Sequence, residues 1–376
     1  METPNRDRTS SLQRVANEVE TVGVLPVDDS QRKMTATQLF IVWAMASASA
    51  TTPILGLLLY KMGFTNMIGA IFLAFLIGLV PAGLFSEMGR EIPVTALIVE
   101  NALKTLEMAG QAGKIPVYPG ARQPLMREWV SADYVHGKDG MGDAAFPPVM
   151  QRAESIHAVT FMLESSHRWK DELVIVAQAP LTNLALAVRQ DPTFSSRVGQ
   201  LWVMGGANNT TGNIGPLSEY NFYVDPEAAA IVFGAGFNLF MVGWEIALRH
   251  SVLTLADLER IRTMNTPLSR FFLQTQRKVL DFNQRQGGIN GTTHPDSLTM
   301  AMAIEEAIWQ QGKDYYVGIE TQGQLTRGTS VVDQLGVWKK RPNAHVCLQA
   351  DGGRFKEALW TMLESGHTGL NPRKTR

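Results

Sequence analysis

Two groups of polar residues in the second half of the chain carry side chains that could do chemistry. Asn213, Glu219 and Asn221 lie close together in a stretch rich in glycine and asparagine. His294 and Asp296 come just before the apolar run SLTMAMAIEEA. Taken alone, the first group is typical of turns, and Asp296 is typical of a helix N-cap. A carboxylate at a helix start can also bind a metal ion, so capping and metal binding are compatible roles.

The elements that would position these residues are typical of an α/β fold. The run LVIVA predicts a buried strand at Leu173–Ala177, followed by a tight turn at 178–180 and a helix over about 181–189. The runs LWVMGGA and LFMVGWE predict two more strands. DPEAAAIVF predicts a helix with Asp225 as its N-cap and Pro226 at its first position. This alternation predicts a mostly parallel sheet with helices on both faces and a ligand site at the strands' carboxyl ends.

Seven motifs occur in the order seen in inosine-uridine nucleoside hydrolases, over about residues 95–366. They are KIPVYPGARQPL, HGKDGMGD, APLTNLALAV, VMGGA with GN and SEYNFYVDPEAAAIVF, THPDSLTMA, TRGTSVVD and HVCLQADGGRF. Any one of them alone is weak, but seven in order are specific, so this region resembles that family. The resemblance implies hydrolysis of the N-ribosidic bond of purine or pyrimidine nucleosides, giving base and ribose.

The resemblance also implies roles for individual residues. Such a reaction passes through an oxocarbenium-like sugar, so the protein must hold the ribose, activate water and help the base leave. The side chains implied to face the ribose are those of Met204, Asn213, Glu219 and Asn221. The backbone carbonyl of Gln178 and the carboxylate of Asp296 are implied to bind calcium. Asp296 and His294 are the implied catalytic residues, with His294 near the position of a histidine that protonates the leaving base. His136 and Asp139 in HGKDGMGD are expected to shape their loop.

The chain departs from the family at its first strand. Those hydrolases begin with a strand that runs into a DxDxxxDD cluster, which supplies most calcium carboxylates and the base that activates water. Here the sequence is FLIGLVPAGLFSEMGREIPVTALIVENALKTLE, and the hydrolase pattern resumes only near Asn101. Asp28 and Asp29 form the only adjacent aspartate pair. The prediction is an incomplete calcium site and impaired hydrolysis. The alternative is a non-catalytic fusion, or a wrongly joined gene model, of a permease fragment and a hydrolase fragment.

The N-terminal region predicts membrane association. Between Thr35 and Ser86 the only charged residue is Lys61, and the apolar stretches on either side are each long enough for a transmembrane helix. A buried hydrophobic hairpin is the alternative. Arg32 and Lys33 precede the first stretch, which predicts a cytoplasmic N-terminus, so two spans return the chain to the cytoplasm.

The same region, over about residues 20–93, resembles the start of the purine and cytosine permeases of the nucleobase:cation symporter family. Transport by such a fold needs about a dozen helices, so this chain would not transport by itself. The predicted organisation is a cytoplasmic tail at 1–36, two transmembrane helices at 37–94 with the membrane contact at 37–86, and a hydrolase-like domain at 95–376 on the cytoplasmic side.

Composition excludes several other classes of protein. One cysteine, Cys347, cannot form an internal disulfide or a cysteine metal cluster. The formal net charge of -1, without basic runs, predicts no nucleic-acid partner. The expected partners are a nucleoside and the membrane, and a homo-oligomer is left open.

Overall fold

The computed structural model describes residues 41–44, 54–58 and 94–365. The strands are β1 Ile41–Ala44, β2 Ile54–Leu58, β3 Leu173–Ala177, β4 Gln200–Met204, β5 Leu239–Val242, β6 Leu253–Thr254, β7 Gly291–Thr292, β8 Trp309–Tyr315, β9 Val317–Ile319, β10 Ser330–Val332 and β11 Ala344–Ala350. The helices are α1 Val94–Met108, α2 Asp133–His136, α3 Ala158–Trp169, α4 Thr182–Gln190, α5 Tyr220–Val224, α6 Pro226–Phe233, α7 Trp244–His250, α8 Leu255–Met264, α9 Pro267–Phe282, α10 Pro295–Ile304 and α11 Gly352–Glu364. A π-helical turn, Asn283–Gly287, continues α9.

The main sheet has the strand order β1-β2-β3-β4-β5-β11-β8. Its four central strands, β3, β4, β5 and β11, run parallel, whereas β8 and β2 are antiparallel to their central neighbours. Successive residues of β3 and β4 are nearly all buried, which means that both faces of the sheet are covered. The predicted α/β fold with a parallel sheet is therefore confirmed.

The largest buried apolar cluster connects the sheet to its helices. It joins α1, strands β3 and β4, and helices α9, α10 and α11, through residues that include Leu106, Val176, Trp202, Phe271, Leu298 and Leu359. This packing places the first turn of α10 and the last turns of α9 near the carboxyl ends of the parallel strands. The cavity described below opens there.

Local sequence signals placed several elements correctly. The first central strand has the predicted bounds, Leu173–Ala177, and the helix expected over 181–189 is Thr182–Gln190. Asp225 caps α6 by accepting a hydrogen bond from the Ala228 N–H, and Pro226 begins that helix. The expectation that Asp296 is a helix N-cap is wrong. His294 holds the N-cap position of α10, and Asp296 lies in the first turn, where a carboxylate still suits the helix dipole.

Asp225 also joins three segments, which predicts a large effect on stability. Its buried carboxylate accepts hydrogen bonds from Leu125 N at 2.9 Å and Thr182 Oγ1 at 2.5 Å, besides its bond to the Ala228 N–H. Asp225→Ala loses a cap and leaves further donors without an acceptor, so we expect a loss of about 3 kcal/mol or more. Urea unfolding measures this loss. The matched variant is Asp351→Ala, since Asp351 caps α11 but is only partly buried. It should lose about 1 kcal/mol, and equal losses would contradict the argument.

The structure describes only two short ranges of the N-terminal region, so the predictions for that region can be compared with it only there. The first strands, β1 and β2, fall inside the predicted transmembrane region, so a helix there is wrong for residues 41–44 and 54–58. An apolar run this short is compatible with a buried strand, and β2 pairs with the edge of β3, whose backbone groups otherwise lack partners on that side. Residues 1–40, 45–53 and 59–93 lie outside the described residues.

Within the described ranges, no helix combines the length and the apolar character needed to cross a bilayer. The membrane contact at 37–86 and the cytoplasmic placement of the following domain stay predictions from sequence.

Candidate active site

One cavity of about 440 Å³ gathers every residue predicted to act on the substrate or the metal. These residues are Gln178, Met204, Asn213, Glu219, Asn221, His294 and Asp296. Gln178 directly follows β3 and Met204 ends β4, so the cavity lies at the carboxyl ends of the parallel strands. That is where open α/β sheets bind their ligands. The fold thus brings together residues from four separate stretches of the chain, and their individual roles stay predictions.

Glu219 is buried at the start of α5 and holds the backbone around it. Its Oε1 accepts a hydrogen bond from Asn221 N at 2.8 Å, and its Oε2 accepts from Gly206 N at 2.9 Å and Phe222 N at 3.3 Å. Burial raises the pKa of Glu219 to about 7, although the three N–H donors act in the opposite direction. Glu219 is therefore both a helix cap and a cavity residue.

The two asparagines are oriented by the backbone. Asn221 is buried, and its Nδ2 donates to the Met204 carbonyl at 3.1 Å and to the Met204 Sδ at 3.3 Å. Asn213 is exposed at the cavity, and its Oδ1 accepts from Tyr220 N at 2.8 Å. These hydrogen bonds restrict both side chains before any ligand binds. Preorganised polar groups of this kind are what a sugar-binding site requires.

His294 is a buried, neutral imidazole at the start of α10. Its Nε2 lies 2.8 Å from Thr292 Oγ1, its backbone N–H donates to Ser251 Oγ, and its ring stacks on Phe272. Burial lowers its pKa to about 3. Nearby, the Gln178 Nε2 donates to the Asp296 backbone carbonyl at 2.5 Å, which ties the end of β3 to α10.

Sequence reasoning missed His136 as a cavity residue. Its ring lines the cavity, and its Nδ1 is buried without a hydrogen-bond partner among the described residues. Burial lowers its pKa, so the ring is neutral at pH 7. Asp139 does shape the loop as expected, because its carboxylate accepts from the N–H groups of Met141, Asp143 and Ala145. The HGKDGMGD motif contained His136, but no local spacing indicated that it would face residues more than a hundred positions away.

Aromatic residues from three helices form another part of the wall. Tyr134 and Phe282 pack edge to face with ring centroids 5.5 Å apart, and Trp244 lies at the start of α7. No sequence pattern indicated that these residues would line a cavity, because isolated aromatic residues on helices are usually part of the core. Together they give the cavity flat apolar surfaces beside its polar groups.

The described cavity residues include few carboxylates that could bind calcium. Calcium takes six to eight oxygen ligands, commonly from several carboxylates. Within the described ranges, no three His, Cys, Asp or Glu side chains are placed to hold a metal ion. The cavity lining described here includes two carboxylates, Asp296 and Glu219, and both oxygens of Glu219 already accept backbone N–H groups. The family is generally calcium-dependent, so Gln178 and Asp296 as calcium ligands stay a family expectation.

Fold and cavity together define a nucleoside hydrolase-like α/β protein. The chain belongs to the inosine-uridine preferring nucleoside hydrolase family, whose model matches residues 95–357. It is 33% identical to the pyrimidine-specific ribonucleoside hydrolase RihA of Salmonella arizonae over 280 residues, which cover 74% of this chain and 88% of that protein. The RihA of Escherichia coli O9:H4 gives the same identity and coverage.

Solved structures show the same fold. A plant nucleoside hydrolase superposes with a TM-score of 0.69 at 27% identity, over 81% of this chain and 97% of its own. A purine-preferring ribonucleoside hydrolase from Gardnerella vaginalis superposes with a TM-score of 0.68 at 24% identity, over 80% of this chain and 96% of its own, and shows the fold alone. The family match begins at residue 95, so the permease resemblance of residues 20–93 stays a prediction. The fusion alternative has no better support than the hydrolase reading.

Proposed function

We propose that this chain binds nucleosides through their ribose in the cavity and hydrolyses the N-ribosidic bond slowly. The observation that carries the proposal is the convergence of Met204, Asn213, Glu219 and Asn221 on one cavity at the strand ends of a nucleoside hydrolase family member. Slow turnover follows from the missing aspartate cluster, since few carboxylates remain to activate water.

We assign some of the cavity residues to the ribose of the nucleoside and others to its base. Asn213, Glu219 and Asn221 offer amide and carboxyl groups to the ribose hydroxyls. The flat faces of Tyr134 and Phe282 suit a planar base, because rings of this kind stack favourably. Neutral imidazoles at His136 and His294 can donate an N–H hydrogen bond to a leaving base. Asp296 is the carboxylate that we assign to the water.

The RihA relatives are pyrimidine-specific by name, so uridine is the first ligand to test and inosine the second. The experiment is calorimetric titration of the full chain with uridine, together with an assay for released ribose. We expect weak binding and little release. Asn221→Ala should weaken uridine binding by roughly fivefold to tenfold, because one hydrogen bond contributes about 1 kcal/mol.

The matched variant is Asn238→Ala, because Asn238 is exposed at the start of β5 and far from the carboxyl ends of the strands. It should leave uridine binding unchanged. The proposal fails if the unaltered chain binds neither uridine, inosine nor ribose. It also fails if the two variants lose affinity equally.

A further inference from the structure

The segment Arg327–Val332 has no role in the function proposed so far, although it comes from the TRGTSVVD motif. It enters β10 and packs behind the ribose side of the cavity, and we call it the strap. None of its residues lines the cavity. It contacts two other segments, one that directly follows Met204 and one that contains Glu219 and Asn221.

The strap first holds the loop that follows Met204. Ser330 is fully buried, and its Oγ accepts from Ala207 N at 2.8 Å and donates to the Ala207 carbonyl at 2.7 Å. Asn209 Nδ2 donates to the Val332 carbonyl at 2.7 Å, and Val332 N donates back to Asn209 Oδ1 at 2.9 Å. These four hydrogen bonds fix the path of residues 205–209, as a neighbouring strand would.

The strap also holds the segment that contains Glu219 and Asn221. Ser218 Oγ donates to the Arg327 carbonyl at 2.5 Å, and the Arg327 guanidinium lies 4.4 Å from the centre of the Tyr223 ring. Gly328 has a φ of 72°, and a Cβ there would lie 2.5 Å from the Tyr223 Cα. Only glycine allows the two backbones to approach this closely.

The loop 205–209 and the segment that contains Glu219 and Asn221 contact each other at the residues expected to bind ribose. Gly206 N donates to Glu219 Oε2, and Asn221 Nδ2 donates to the Met204 carbonyl. Gly206 has a φ of 69°, and a Cβ on it would lie 2.6 Å from Ser330 Oγ, so the strap and the loop fit closely at this point. A shift of the loop would therefore move the backbone donor that orients Glu219.

We propose that the strap positions the ribose-binding side chains, with Ser330 and Asn209 as the positioning residues. This inference rests on the proposed function for its ligand. It predicts that loosening the strap weakens binding of the sugar but not of the base, since the two rings assigned to the base, Tyr134 and Phe282, belong to α2 and α9.

The experiment uses two variants that remove hydrogen bonds between the strap and the loop, Ser330→Ala and Asn209→Ala, which we call the strap variants. The control is Val331→Ala, in which the altered residue lies between Ser330 and Val332 but faces solvent. Titrations use uridine, ribose and uracil. Each strap variant should bind uridine and ribose roughly tenfold more weakly, with uracil binding unchanged. Val331→Ala should bind all three like the unaltered chain. Equal losses for uracil would show general destabilisation and overturn the proposal.

Hydrogen exchange on the ligand-free proteins separates this inference from the proposed function. Exchange at the amides of Gly206 and Asn221, which donate to Glu219, should be faster in both strap variants and unchanged in Val331→Ala. If the unaltered chain binds no nucleoside, the proposed function fails, and this exchange pattern still tests the strap. Unchanged exchange in the strap variants would overturn the strap inference.

Discussion

A chain in which residues 1–94 are replaced by a family strand ending in DxDxxxDD should hydrolyse uridine at least about 100-fold faster than the present chain. A positioned acid or base typically contributes 10²- to 10⁴-fold, and the cluster supplies carboxylates that the described cavity lacks. The measurement is the initial rate of ribose release at saturating uridine. Robust hydrolysis by the unaltered chain would contradict the prediction and would direct attention to Asp28 and Asp29 as substitutes.

In that grafted chain, Asp296→Ala should reduce uridine hydrolysis to the level of the unaltered chain. Asp296 is largely buried in the cavity wall, in the first turn of α10. Asp351→Ala is the control, because Asp351 also lies at a helix start but does not line the cavity. If both variants lose activity to the same degree, Asp296 has no special role in the reaction.

The second large effect is a pH-dependent stability that comes from Glu219. Burial raises its pKa from 4.5 to about 7, so the folded chain holds a proton through that window that the unfolded chain releases. Protonated Glu219 therefore contributes to the free energy of unfolding. The contribution has its full value below about pH 4.5 and is lost as the pH rises through about 7. The slope reaches about 1.4 kcal/mol per pH unit inside the window.

Glu219→Gln cannot ionise, so its stability should lack this slope when urea unfolding is measured from about pH 4.5 to about pH 7.5. Burial also raises the pKa values of Asp225 and Glu245. Both residues are present in the unaltered chain and in Glu219→Gln, so their effects cancel when the two stability profiles are subtracted. Glu357→Gln alters an exposed side chain and should retain the slope. Parallel profiles for the unaltered chain and Glu219→Gln would disprove the assignment.

Local patterns were enough to predict the central elements of the fold. The bounds of β3 and the cap at Asp225 depend on residues close together in sequence, where apolar runs and capping preferences act directly. The family resemblance identified seven of the residues that converge on the cavity. His136 and Phe282 could not be predicted this way, because they reach the cavity only through the packing of α2 and α9.

The N-terminal region shows the opposite case. Hydropathy alone predicted helices across residues 37–86, yet the parts described, β1 and β2, are strands. An apolar run is compatible with a transmembrane helix, a helix buried in a core or an edge strand, so hydropathy did not distinguish these structures. Pairing with β3 decided the outcome for residues 54–58.

Because β2 runs antiparallel to β3, its direction limits how carboxylates could be added at this edge of the sheet. Leu58, at its carboxyl end, pairs with Leu173, whereas Leu55 pairs with Val176 near the cavity. Acidic residues appended after Leu58 would therefore leave from the rim opposite the cavity, about 13 Å away along the strand. A strand that delivers aspartates to Asp296 must run the other way, parallel to β3. Reversing the chain's path, rather than adding charge to β2, is thus the structural requirement for completing this site.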